Sequence, residues 1–101
     1  MQMMMLVFRS SLKEQVHALL HRCDVKAFTE VTESVGYGQT GPAEGLAFYP
    51  GTNSVILVAL DDEHQARVTT AVTGWCEEAA KHPGWKKPSI RVFAWPCTQI
   101  V

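Results

Sequence analysis

Two short runs in this chain are apolar on both strand faces, and they limit what it can fold into. Met3 to Arg9 reads MMMLVFR and Ser54 to Leu60 reads SVILVAL. Each is short enough for a strand. Successive strand side chains point to opposite faces, so Met3, Met5 and Val7 oppose Met4, Leu6 and Phe8. In the second run, Val55, Leu57 and Ala59 oppose Ile56, Val58 and Leu60. A sheet with one wet face alternates apolar and polar residues, and these runs do not. Both faces of the sheet therefore need cover.

The remaining pattern supplies cover for one face. Leu12, Val16, Leu19, Leu20 and Cys23 recur at helical spacing through Arg22, with Ser11 and Glu14 spaced for a capping box. Lys26 to Val35 is the next strand, rich in β-branched residues. Asp61, Asp62 and Glu63 suit the start of a second helix, where negative charge meets the helix dipole. Its inner stripe is Val68, Ala71, Val72, Trp75, Cys76 and Ala79, and His82-Pro83-Gly84 ends it. Ser89 to Trp95 is the last strand, stopped by Pro96, and Thr98 to Val101 extends along an edge. The order βαββαβ predicts an α+β, ferredoxin-like sandwich: a four-stranded antiparallel sheet with two helices on one face. The second face then points to an obligate homo-oligomer in which sheets pack on one another, the alternative being a long loop that folds back over that face.

Between the second and third strands lies a long loop, about 36–53, inside a single domain spanning 1–101. Gly36, Gly38, Gly41, Gly45 and Gly51 fall here, with Pro42 and Pro50. Long connections between rigid strands are common places for binding sites. Gly36-Tyr37-Gly38-Gln39-Thr40-Gly41 has the form G-x-G-x-x-G, with Asp61 downstream. A dinucleotide site needs a helix beginning inside that motif, and no helical stripe precedes Ser54. A nest of backbone amides that holds an anion suits the segment better.

Net charge is −1, against an obligate nucleic-acid partner. No apolar run reaches membrane-spanning length, and MQMMMLVFR is too short for a signal peptide. Cys23, Cys76 and Cys97 form no paired-spacing motif, which suits a reducing cytoplasm. His17 and His21, four apart on one helix face, are weak candidates for a soft metal, as is Cys97. Cys23 and Cys76 fall on inner stripes and read as small core residues. Lys86, Lys87 and Arg91, beside Trp85, are the one compact basic cluster. Glu30 and Glu33 read as solvated strand charges, and no nucleophile and base stand at a catalytic spacing.

Phe28-Thr29-Glu30-Val31 followed by Gly36-Tyr37-Gly38-Gln39 resembles the PII signal-transduction proteins, whose pattern is T-E-V, then G-[FY]-G. The strand running into Asp61-Asp62, and Ile90 to Trp95 followed by Pro96, resemble later parts of the same family. The loop from Gly36 to Thr52 has no lysine or arginine, and Pro83-Gly84-Trp85-Lys86-Lys87-Pro88 replaces the family's phosphate-gripping turn. The resemblance is thus to a divergent PII-like protein. It implies a non-enzymatic, cytoplasmic homotrimer that binds a small anionic effector between subunits: an adenine nucleotide (ATP, ADP or AMP) or bicarbonate. On that reading Thr29, Gly36, Gly38, Gln39, Lys86, Lys87 and Arg91 hold the effector. Tyr37, Thr40, Gly41, Glu44, Phe48 and Tyr49 belong to the loop that docks on a partner, such as a transporter or regulatory protein. The alternatives are a metal-tolerance accessory protein on the same fold, and a small enzyme with its site in an oligomer cleft.

Overall fold

A computed structural model describes residues 1–36 and 51–101. Strand β1 (Gln2–Arg9) leads through a 3-10 turn at Ser10–Leu12 into helix α1 (Lys13–Arg22). Strands β2 (Thr29–Gly36) and β3 (Gly51–Leu60) follow, then helix α2 (Asp62–Lys81) and strand β4 (Ile90–Pro96). The sheet order is β2-β3-β1-β4 with every neighbouring pair antiparallel. This is the ferredoxin-like arrangement expected from the element order.

One core forms between the sheet and the helices. Met4, Leu6 and Phe8 of β1 join Ile56, Val58 and Leu60 of β3 and Ile90 of β4. Val16, Leu19 and Leu20 of α1 and Val68 and Val72 of α2 complete it. Both helices therefore lie on the even-numbered face of β1. Cys23 is buried in this core and Cys76 packs against it, as their stripe positions predict.

Several boundaries differ from the sequence reading. The Ser11–Glu14 capping box does not form: α1 begins without a side-chain cap, and the Lys13 N–H donates to the Ser10 carbonyl. The 3-10 turn satisfies that donor through the backbone instead. Helix α1 closes in a Schellman arrangement: Asp24 N–H donates to His21 O and Val25 N–H to Leu20 O. Asp24, at φ 63°, holds the left-handed position that glycine favours. Strand β2 starts at Thr29 rather than Lys26. Strand β3 starts three residues before Ser54, because Gly51, Thr52 and Asn53 pair with Gly36, Val35 and Ser34. Residues 98–101 form no strand, and the Cys97 N–H reaches back to the Met1 carbonyl.

Strand β2 is not regular. Val31 pairs with Val55 and Ser34 with Asn53, so three steps on β2 face two on β3. This bulge absorbs one extra residue, and Glu33 within it sits at φ 56°.

Candidate effector site

The sheet register lays out the face that no described helix covers as a series of cross-strand rows. Nearest the ends joined by residues 37–50 stands Ser34–Asn53–Arg9. The next row is Val31–Val55–Val7–Arg91, followed by Thr29–Leu57–Met5–Phe93 and then Ala59–Met3–Trp95. Paired residues share a face, so these side chains project to the same side. Val7 and Val55, on the inner strands, are buried, whereas Val31, Phe93 and Trp95 are 50%, 39% and 42% exposed. The face is thus apolar over most of its length and polar and basic at one end.

That polar end is built by local backbone constraints. Gly51 pairs with Gly36 at the foot of the hairpin and adopts φ +98°. A Cβ there would lie 3.7 Å from an Arg9 guanidinium nitrogen, in ordinary contact, so the backbone angle and not crowding demands glycine. Asn53 is fully buried, and its side-chain amide donates to the Gly51 carbonyl at 3.0 Å. The Arg9 N–H donates to the Ser89 carbonyl at 3.1 Å, tying β1 to the connection that carries Lys86 and Lys87.

The proposed effector residues are only partly gathered. Gly36 and Arg91 stand at or near the polar end, and Lys86 and Lys87 are exposed on the connection into β4. Thr29 lies one row further along than Arg91 and on the opposite edge strand. Three strand spacings, about 14 Å, separate those edges. Gly38 and Gln39 lie outside the described residues, as do Tyr37, Thr40, Gly41, Glu44, Phe48 and Tyr49. Arg9 and Asn53 were not singled out from sequence. Arg9 continues the parity of Met3, Met5 and Val7, which was the available signal; Asn53 looked like loop.

Of the weak metal candidates, His17 is engaged within the fold: its Nε2 bonds the Glu30 carboxylate, and its ring meets Phe28 edge-on at 5.3 Å. Lys13 Nζ lies 3.3 Å from the other Glu30 oxygen. Glu30 is therefore no solvated strand charge. It points to the helix face, opposite Ile56, where α1 supplies His17 and Lys13 as partners. Burial pushes its carboxyl up, but the hydrogen bonds and charges of His17 and Lys13 outweigh this and hold it below the ordinary range. His21 is exposed in the last turn of α1, and Cys97 is partly buried. Among the described residues, no group of three His, Cys, Asp or Glu side chains is placed to hold a metal ion. Burial pushes the Cys23 thiol up, which Arg22 and Arg67 oppose in part. No described helix is long and apolar enough to cross a membrane.

No family model matches the chain, and no curated protein matches it. Solved structures do. A nitrogen regulatory PII-like protein from Thiomonas intermedia K12, bound to ADP, AMP and bicarbonate, superimposes with a TM-score of 0.67 at 20% identity, covering 93% of this chain and 86% of that one. Its apo form gives 0.64 at 18% identity, covering 93% and 85%. A protein of Thermus thermophilus described as PII-like gives 0.62 at 16%, covering 93% and 82%. The chain has the fold of PII-like proteins.

Proposed function

We propose that this chain is a non-enzymatic, PII-like sensor that assembles through its helix-free sheet face and binds a small anionic effector where copies meet. The observation that carries this reading is the gradient along that face: apolar rows end in a row holding Arg9 and Asn53, next to Arg91. Apolar rows suit burial against another copy, and the polar end suits the rim of such an interface. Thr29 and Arg91 sit on opposite edges of one sheet, so a site using both draws them from different subunits. A trimer is the assembly the family resemblance favours. Structures of the same fold hold ADP, AMP and bicarbonate, which supports an adenine nucleotide or bicarbonate as the effector.

Residues 37–50, anchored between Gly36 and Gly51, would transmit occupancy to a partner such as a transporter. Gly38 and Gln39 would approach the effector through main-chain amides and the side-chain amide, while Lys86, Lys87 and Arg91 offset its charge. Calorimetry with ATP, ADP, AMP and bicarbonate, paired with sedimentation, tests this. Saturable binding by a multi-subunit species is expected. Silence toward all four ligands, or binding by a single chain, overturns it.

A further inference from the structure

The connection between α2 and β4 carries an aromatic ring that is held in place yet left open to solvent. Trp85 is 60% exposed. Its backbone N–H donates to the His82 carbonyl at 3.1 Å, and Gly84 at φ +86° makes the turn possible. The His82 ring stacks on the indole, with centroids 4.1 Å apart and planes inclined by 25°. His82 is itself held by Glu78, whose Oε1 lies 2.8 Å from its Nε2. A chain of contacts thus runs from the last turn of α2 to the indole and fixes its plane. His82 covers one ring face, and most of the indole surface remains accessible. Exposed tryptophan is costly in water, and ordering it removes rotamer freedom. A ring both ordered and exposed is suited to receiving another flat ring, because its ordering cost is met before the ligand arrives. Lys86 and Lys87 follow directly and are exposed.

We infer that Trp85 is a stacking platform for the base of a purine nucleotide whose phosphates meet Lys86 and Lys87. The inference rests on the sensor reading above and deepens it. A flat heterocycle next to a phosphate matches an aromatic plane next to two ammonium groups, whereas bicarbonate or acetate engages only the charges. Trp85 is then the residue that separates nucleotides from bare small anions.

The test is calorimetry of the full chain with ADP and, separately, bicarbonate, using wild type, Trp85→Ala, Trp85→Phe and Lys86→Ala/Lys87→Ala. Stacking of a base on an aromatic ring corresponds to roughly a five- to hundredfold change in affinity. Trp85→Ala is expected to weaken ADP by that factor and leave bicarbonate unchanged, with Trp85→Phe keeping most of the ADP affinity. The double lysine variant is expected to weaken ADP as well. Circular dichroism checks that each variant keeps the wild-type fold, which an exposed turn residue leaves intact. If Trp85→Ala binds ADP as wild type does, or loses both ligands alike, this inference fails while the sensor reading stands. If wild type binds bicarbonate but not ADP, this inference fails; if it is silent toward ATP, ADP, AMP and bicarbonate alike, the sensor reading fails and takes this one with it.

Discussion

Single residues show where local chemistry departs from the best local choice. Asp24 occupies the left-handed closing position of α1. Its exposed pairings with Lys26 at 3.4 Å and His64 at 4.0 Å contribute little in water. Asp24→Gly relieves the Cβ conflict and is expected to stabilise the protein by about 1 kcal/mol. Thermal melting checks this, and a lower midpoint would count against the Schellman assignment. Glu30 has the opposite character, because its partners act across the fold. Its carboxyl is held below its ordinary value of 4.5, so its contribution is present above that pH and is lost as pH falls through the depressed folded value. Glu30→Gln is expected to cost about 1–2 kcal/mol at pH 7. Denaturant melts from pH 7 down to below the folded pKa should show the variant and wild type converging. A constant gap across that range would mean the charge is not responsible.

The elements show how a hairpin foot is built and why its extent was hidden. Gly36 and Ser34 to Asn53 and Gly51 form a continuous ladder past the point where the apolar run stops. Polar and glycine residues gave no strand signal, yet once β2 and β3 are aligned their backbones keep pairing. Gly51 is the position where this ladder turns away at positive φ. Gly51→Ala is expected to destabilise by about 1 kcal/mol or more through backbone strain, since the space itself is open. Hydrogen exchange should localise the added opening to β2 and the first residues of β3; exchange spread evenly over the sheet would contradict a local role. The β2 bulge was equally hard to read, because an inserted residue has no composition of its own.

At the scale of the molecule, the decisive feature is a sheet whose described helices all lie on one side. Phe93 lies on the edge strand β4 of the uncovered face, opposite Met5, and is 39% exposed in the single chain. Phe93→Glu puts a charge into any interface built there, where an unpaired buried charge is strongly unfavourable. The expected outcome is a folded protein that sediments as a single chain, against a multi-subunit wild type. Assembly unchanged by Phe93→Glu would move the interface elsewhere.

The order of elements and the allocation of core residues were legible in the sequence because they depend on local periodicity. Met4, Leu6 and Phe8 took one face and Met3, Met5 and Val7 the other, as strand geometry requires. What periodicity cannot carry is which distant groups meet. His17 and Glu30 are thirteen residues apart and come together only because the crossover from β1 to β2 lays α1 over the edge strand. Arg9 joins Asn53, and both come near Arg91, only when three strands are placed side by side. Pattern along the chain thus decided which surfaces are apolar, while the antiparallel register decided which polar groups share a row, since neighbours in a sheet are neighbours in space and not in sequence.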